Sequence, residues 1–473
     1  MGVLRDRARR TAPAANLLDL LDQTTFDLDR VTGFTTVLQC FWVYDRPVDI
    51  DGLRQFHHHL QRGRLSRCIE RSPLRFGRHR WIACDGSSDL EIATSARPRE
   101  EFDAWLNEQA NAPLNCEHGP GWHLAMVPFT DGGAGVSFVI PHCLADGVGL
   151  CEALADATCG GEDPMSWPTA ASRRRWQALR EDIRQTARDI PAIGRGVAAA
   201  VRMARRSRSR PGAATPLPAL PSGADEPIML PSATVFVDAS EWEARAQSLG
   251  GTTNSLLVGL AGRLAQRLGR VAADGSALVG IPVNERVADD TRANAYSVCA
   301  ITVDPVPAST DLRPIRGAIK QALTCDQEKR DDWRAAMSVA PLMGLLPKRL
   351  LSRGSGAGIA INSSSLGVVN PAANRPDGTH ADYFAMRIQY PGMTRGMVHR
   401  FGGVQWFVSG RAHGHIFVAA TAYQPGRLDS NDGLRQELLG AMDDFSLTGI
   451  HLGAPPNCVP SEESLHQIND ATA

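Results

Sequence analysis

A basic and then proline-rich interruption in the middle of the sequence limits how this chain can fold. The stretch from Arg173 to Arg210 holds twelve arginines against three acidic residues, and Pro211 to Pro231 is rich in Pro, Ala, Ser and Gly. These compositions are typical of a solvated helical segment followed by a connector. We therefore predict two globular units, residues 1–165 and residues 232–473, joined by a connector at 166–231.

Both predicted units mix strand-like and helix-like patterns. In the first unit, the patterns predict strands at Phe34–Tyr44, Trp122–Phe129 and Val136–Ile140, and helices at Asp49–Arg62 and Val148–Ala157. In the second unit, they predict strands at Ala233–Val237, Ala277–Val283, Ser297–Val303, Val404–Val408 and His415–Ala420, and helices from Ser240 and over Thr252–Leu268. We expect the basic stretch to form one or two helices broken at Pro191.

Charge and hydrophobicity exclude several classes of protein. Lys+Arg 50 against Asp+Glu 51 gives a formal charge of −1, so no global field favours a nucleic acid partner. No apolar run reaches the roughly 18 residues that span a bilayer, and the N-terminus does not resemble a signal peptide. The ten cysteines form no CxxC pair, so we expect buried free thiols in a cytoplasmic protein.

The segment Val136–Leu150, VSFVIPHCLADGVGL, carries the strongest chemical signal. A predicted strand delivers His142 to its end, and Asp146 and Gly147 follow before a helix. A histidine fixed at a strand end suits general base catalysis, because its ordinary pKa lies near neutrality. On spacing alone, a loop histidine beside a turn aspartate explains the pattern as well.

This segment resembles the HHxxxDG motif of the chloramphenicol-acetyltransferase-like superfamily, which includes CoA-dependent acyltransferases and condensation domains of peptide synthetases. The order of features is most similar to bacterial wax ester synthase/diacylglycerol acyltransferases, over about residues 17–445. The matching stretches are LLDLLDQTTF (17–26), VDIDGLRQFHHHLQRGRLSRC (48–68), RFGRHRWIACDGSSDLEI (75–92), Pro120-Gly121-Trp122, TTNSLLVGLAGRL (252–264), IPVNERVADD (281–290) and NAYSVCAITVDP (294–305).

The resemblance implies an α/β sandwich fold with two chloramphenicol-acetyltransferase-like lobes and an active-site tunnel between them. It implies that His142 is the catalytic base, which takes the proton of an acceptor as that group attacks a thioester. It further implies that Asp146 and Gly147 support the catalytic loop, with Asp146 paired to Arg286.

The sequence departs from the family pattern at several positions. The first histidine of the motif is Pro141, and the family's Asn-Asp pair is Asn254-Ser255. Ser363-Ser364-Ser365-Leu366-Gly367-Val368 replaces the family's Ser-Asn-Val-Pro-Gly-Pro. By resemblance we expect Pro141, Asn254, Ser364 and Ser365 along the substrate tunnel.

Three functions follow from the resemblance and its departures. The first is an O-acyltransferase that moves an acyl group from acyl-CoA to an alcohol. The second is a free-standing condensation enzyme of natural-product biosynthesis, in which a carrier protein presents the acyl group on phosphopantetheine. The third is a catalytically silent binding relative. In none of them is a permanently bound cofactor, a metal or a nucleic acid expected.

Other candidate sites have simpler interpretations. His57-His58-His59 lies in a predicted helix, where neighbouring side chains diverge and form an exposed face. His413 and His415 lack a third ligand nearby, Cys143 points away from its neighbour His142, and Gly354–Gly358 is most simply a hinge or loop. The basic stretch 173–210, which also carries Ile183, Ile190, Ile193 and Val197, could form an amphipathic face for peripheral membrane contact or a solvated helix between the lobes.

Overall fold

The computed structural model describes residues 16–84, 86, 88–161, 167–208, 226–287, 290–324, 327–339, 342, 361–427 and 430–452. The strands are β1 (Val37–Tyr44), β2 (Arg67–Glu70), β3 (Arg80–Ala83), β4 (Leu90–Ile92), β5 (His123–Pro128), β6 (Ala134–Pro141), β7 (Ser232–Asp238), β8 (Ala277–Asn284), β9 (Tyr296–Val303), β10 (Ile361–Val368), β11 (Tyr383–Gln389), β12 (Val404–Ala412) and β13 (His415–Tyr423). The helices are α1 (Leu20–Thr32), α2 (Ile50–Arg62), α3 (Phe102–Ala110), α4 (Gly147–Thr158), α5 (Arg175–Arg208), α6 (Ala239–Ser248), α7 (Thr253–Arg267), α8 (Pro305–Ala308), α9 (Arg313–Thr324), α10 (Gln327–Met337), α11 (Arg395–Arg400) and α12 (Asn431–Asp443).

The first lobe is built on a five-stranded sheet in the order β11-β1-β6-β5-β4. Every residue of β1 and β6 is buried, because helices or the second lobe cover both faces of these strands. Leu53, Phe56 and Leu60 form the buried face of α2, at the spacing that the sequence predicts, and α2 packs beside α4.

The second lobe is built on a six-stranded sheet in the order β7-β13-β12-β10-β8-β9. Helix α7 packs on β8, β10 and β12, and α12 packs on β7. The segment Thr252-Thr253-Asn254-Ser255 begins α7 with a capping box, in which the side chains of Thr252 and Ser255 each accept a hydrogen bond from the other residue's backbone N–H.

One strand of the first sheet comes from the C-terminal half of the sequence. β11 pairs antiparallel with β1, from Val37 opposite Gln389 to Val43 opposite Tyr383. β11 also contacts β12 and β13 of the second lobe, where the ring centroids of Phe384 and Phe417 lie 5.8 Å apart. The division of the sequence at residue 232 therefore does not coincide with the division between the sheets.

The basic stretch and the connector differ in part from the sequence expectation. α5 is one continuous helix with Pro191 inside it, so the predicted break is absent. The helix is held to the body of the protein on both sides of Pro191, by Asp182 bonded to Ser72 before it and by Gly196 packed against Ala335 after it. Residues 211–225 lie outside the described residues, whereas Ile228 N donates to Met393 O at 2.8 Å and Leu230 is buried. The end of the predicted connector thus packs against the second unit.

The cysteines also depart from expectation. Cys68 and Cys84 form a disulfide, because the β2–β3 hairpin brings their Cα atoms to 4.9 Å. Cys159 is exposed and Cys116 is partly buried, whereas Cys40, Cys143, Cys151 and Cys299 are buried thiols as predicted.

Candidate active site

His142 follows directly after β6, where the strand runs out into the space between the lobes. Its backbone N–H donates to Thr36 O at 2.8 Å, and its carbonyl accepts from Asn294 Nδ2 at 2.9 Å. The ring is half-buried, and Nδ1 is fully buried without a hydrogen-bond partner in the described part of the chain. Nε2 is therefore the nitrogen that a ligand can reach.

Burial also sets the protonation of His142. Removal of the ring from water lowers the pKa of His142 below its ordinary value, and the attraction of Asp146 only partly opposes this. The ring of Tyr296 packs edge-on against it at 6.1 Å between centroids. At neutral pH the imidazole is therefore uncharged and can accept a proton.

Hydrogen bonds of the Asp146 side chain hold the loop that follows His142. Its Oδ1 caps α4 by accepting from Gly149 N at 2.7 Å, and its Oδ2 accepts from Arg286 Nη2 and Ala295 N, both at 2.8 Å. The predicted contact between Asp146 and Arg286 is thus present, and both side chains are almost completely buried. Both carboxylate oxygens of Asp146 therefore accept hydrogen bonds within the protein, which fixes the orientation of the side chain.

Gly147 of the motif and Gly149 two residues later both lie in close contact with neighbouring side chains. A Cβ at Gly147 would lie 2.6 Å from Leu366 Cδ2, and a Cβ at Gly149 would lie 2.7 Å from Arg286 Nη2. A side chain at Gly147 would displace the end of Leu366, and one at Gly149 would displace the guanidinium group that pairs with Asp146.

Residues that the sequence reasoning missed complete the connection between the lobes. Asp22 on α1 accepts from Ala293 N at 3.1 Å, Asn294 N at 2.7 Å and Asn294 Nδ2 at 3.0 Å. Arg67 donates to Thr291 O at 2.7 Å. Burial raises the pKa of Asp22 to about 7, and nearby Arg67 opposes the rise. Asp22, Arg67 and Asn294 thereby fix the loop that holds His142 from behind.

The cavity in front of His142 is lined by both halves of the chain. It encloses about 490 Å³. Apolar side chains from α1, the strands and α10 form much of its wall, and polar side chains are interspersed; the lining includes Leu21, Leu28, Phe34, Asp29, Thr36, Tyr296, Trp333, Asn362, Leu366, Tyr390, Met393 and Trp406. Burial raises the pKa of Asp29 to about 8. At neutral pH this carboxyl is mostly uncharged, which suits a neutral ligand.

The structure brings together most of the residues that the sequence singled out. His142, Asp146, Gly147, Ser364 and Ser365 line the cavity. Arg286 lies behind the loop through its ion pair with Asp146.

Two predicted tunnel residues lie elsewhere. Pro141 ends β6, buried opposite Val37, and does not line the cavity. Asn254 is exposed in the first turn of α7 and is also not part of the lining. The TTNS segment around Asn254 serves as a helix cap, so its side chain points to solvent.

The alternative sites have structural explanations. Cys143 Sγ lies 3.5 Å from Cys116 Sγ, and its pKa is well above its ordinary value because of this contact and burial, so it remains a thiol. His58 is exposed, whereas His57 and His59 are partly buried and bond carbonyl oxygens of Ser88 and Ala157. The ring of His413 stacks on that of His380.

No cluster of three or more His, Cys, Asp or Glu side chains suited to a metal ion occurs in the described ranges. Gly354–Gly358 lies outside those ranges. None of the described helices is long and apolar enough to cross a bilayer.

Comparison with known proteins identifies the fold. No protein-family model matches the sequence, and no curated protein sequence is significantly similar to it. Among solved structures, polyketide synthase associated protein 5 from Mycobacterium tuberculosis matches with a TM-score of 0.53 and 14% identity, covering 90% of this chain and 98% of that chain. The first condensation domain of the CDA synthetase matches with a TM-score of 0.52 and 13% identity, covering 93% and 100%.

The wax ester synthase/diacylglycerol acyltransferase from Marinobacter aquaeolei VT8 matches with a TM-score of 0.52 and 11% identity, covering 91% of this chain and 98% of that chain. The chain therefore shares the fold of these structures, and the predicted fold class of two chloramphenicol-acetyltransferase-like α/β lobes is confirmed. The TM-scores to the three structures are nearly equal, so the fold does not single out the wax ester synthase family.

Proposed function

We propose that this protein transfers an acyl group from a thioester to an alcohol, with His142 as the general base. The observation that carries the proposal is the neutral imidazole whose Nε2 is accessible from a cavity that both lobes line. A base contributes to catalysis when it is unprotonated at working pH and within reach of the reacting group.

The reaction needs only one proton-transfer group. The alcohol oxygen attacks the thioester carbonyl carbon while His142 Nε2 takes the hydroxyl proton, and a tetrahedral intermediate forms. The C–S bond then breaks, and the thiolate leaves with the proton that the imidazolium returns. General base catalysis of this kind accelerates a reaction by about 10²–10⁴-fold.

The surroundings of His142 support this role by holding it still. Its backbone is bonded to Thr36 and Asn294, and the following turn is held by the Asp146–Arg286 pair. A displacement of about 1 Å at a reacting group can cost on the order of a hundredfold in rate. Asp146 therefore supports the base as a positioning residue.

The cavity lining supports the pantetheine arm as the part of the acyl donor that enters it. Among the described residues that line it, none is arginine or lysine. The phosphates of an acyl-CoA would have to bind outside this lining, whereas the neutral pantetheine arm suits it. Because carrier proteins present the same arm, a carrier-bound donor is the second candidate.

Thiol release from matched donors tests the proposal. Purified protein is given one acyl group either as acyl-CoA or on a holo-carrier protein, with an alcohol acceptor, and the free thiol is measured. We expect release to fall by about 10²-fold or more in His142→Ala. His58→Ala, which removes an exposed histidine from α2, is the matched control and should retain the full rate.

Each outcome is decisive. Turnover with acyl-CoA supports the CoA-dependent acyltransferase, and turnover only with the carrier-bound donor supports the condensation enzyme. Equal thiol release by His142→Ala and the unaltered protein excludes His142 as the base. Binding of acyl donors without turnover of either one indicates the silent relative and overturns the proposal.

A further inference from the structure

Helix α5 presents an apolar stripe on its outer side. Trp176 is 82% exposed, Ile183 53%, Ile190 61% and Val197 43%. These four residues are spaced by seven, which is close to two turns of an α-helix, so they lie on one face. Val201, 44% exposed, continues the stripe, which is about 37 Å long at about 1.5 Å per residue.

The opposite side of α5 is fixed to the body of the protein. Asp182 is buried and accepts from Ser72 Oγ at 2.5 Å, and Ala199 is fully buried. A Cβ at Gly196 would lie 2.5 Å from Ala335 O on α10. The helix therefore cannot turn its stripe inward, and the apolar side chains face outward in the folded protein.

The acidic side chains of α5 face the body of the protein, whereas several of its arginines are exposed. All three of its acidic residues contact arginines outside the helix: Glu181 lies 3.4 Å from Arg173, Asp182 3.4 Å from Arg80, and Asp189 3.8 Å from Arg78. Arg180, Arg184, Arg188 and Arg195 are also exposed. At 3.6 residues per turn they form a row along one side of the stripe, with Arg180 nearest to the apolar side chains. The outer face therefore combines apolar side chains with positive charge.

We propose that α5 docks the protein on the surface of an anionic membrane. An apolar stripe bordered by arginines is the pattern of helices that lie in a lipid interface, where the apolar side chains enter the acyl boundary and the guanidinium groups bind phosphate. A second copy of the chain is less suited to this face, because a symmetric pair would bring the two rows of arginines together.

The docking surface is coupled to the cavity wall. α5 packs along α10, and Arg202 Nε contacts Asp332 Oδ1 at 3.1 Å. The next residue of α10, Trp333, lines the cavity. A membrane-bound α5 would therefore hold this wall of the cavity near the lipid.

Vesicle sedimentation with paired variants tests the proposal without any turnover. Vesicles of phosphatidylcholine alone are compared with vesicles of phosphatidylcholine mixed with phosphatidylglycerol, at low and high salt. We expect binding only to the anionic vesicles, weakened by salt. Ile183→Ser/Ile190→Ser should reduce the affinity by at least about tenfold, because two apolar side chains no longer enter the interface.

Matched controls separate this face from general surface effects. Val306→Ser/Ile450→Ser removes two exposed apolar side chains elsewhere and should bind as the unaltered protein does. Arg184→Gln/Arg188→Gln should weaken binding and flatten its salt dependence, whereas Arg54→Gln/Arg316→Gln, two exposed arginines elsewhere, should not. Brominated lipid should quench the tryptophan fluorescence of the unaltered protein more than that of the Trp176→Phe variant.

The possible results divide cleanly. Loss of vesicle binding in the stripe variants with normal binding in the controls supports the proposal. Absence of vesicle binding, or equal binding by Ile183→Ser/Ile190→Ser, overturns it. So does a concentration-dependent dimer that this variant abolishes without any vesicle binding, since the face would then bind a second copy. No result of this experiment bears on the acyl transfer reaction.

Discussion

Replacing Arg286 with glutamine should loosen the loop that carries His142. Arg286 donates to Asp146 Oδ2 at 2.8 Å, to Arg292 O at 3.0 Å and to Ala293 O at 3.0 Å, and the ion pair is almost fully buried. Breaking a buried pair by removal of one partner costs about 3–5 kcal/mol. Because Asp146 keeps its bonds from Gly149 N and Ala295 N, we expect the lower end, about 3 kcal/mol.

The assay combines urea denaturation with thiol-release kinetics. Arg286→Gln should lower the urea midpoint and reduce kcat, by about a hundredfold if the loop moves by about 1 Å. The double variant Asp146→Asn/Arg286→Gln should be less destabilised than the sum of the single variants by about 2 kcal/mol, since neither partner is then left as an unpaired charge.

The matched control is an exposed ion pair. Arg54 Nη1 lies 2.9 Å from Asp51 on the surface of α2, and Arg54→Gln should leave both the midpoint and the rate unchanged. If Arg286→Gln behaves as Arg54→Gln does, the Asp146–Arg286 pair does not hold the catalytic loop, and the reasoning is refuted.

Three further predictions concern the same site. Because burial lowers the pKa of His142, kcat/KM should be constant above pH 6.5 and fall only as acid protonates the ring; a pH–rate profile with its acidic limb above pH 6.5 would contradict this. Gly147→Ala should lower kcat through contact with Leu366, and adding Leu366→Ala should restore part of the loss. If the double variant shows no such recovery of kcat, contact with Leu366 is not the cause of the loss. Asp22→Asn places an amide NH₂ group opposite backbone N–H donors, so the free energy of unfolding measured in urea should fall by about 1–3 kcal/mol. An unchanged midpoint would exclude Asp22 as a link between the lobes.

The local parts of the site could be predicted from the sequence. A strand, a histidine, a turn and a helix follow one another within Val136–Leu150, so their order alone places His142 at a strand end. The helix starts at Asp49 and Thr252 can be predicted in the same way, since a capping side chain acts on its own helix.

The contacts between distant segments could not be predicted in this way. Asp22 and Asn294 are 272 positions apart, and no periodic pattern links an aspartate on one helix to a loop in the other half. β11 joins β1 across a still larger separation, and its sequence, YFAMRIQ, does not indicate which sheet it enters. Asn254 shows the limit of the resemblance, which places it along the tunnel, whereas its side chain is exposed in the first turn of α7.

Chemical rescue of His142→Ala is the most direct test of the account. The variant should lose about 10²-fold or more of its thiol-release rate, and added imidazole should restore activity in proportion to the concentration of its neutral form. A variant that keeps the full rate without imidazole would show that another group removes the acceptor proton, and would contradict the assignment of His142.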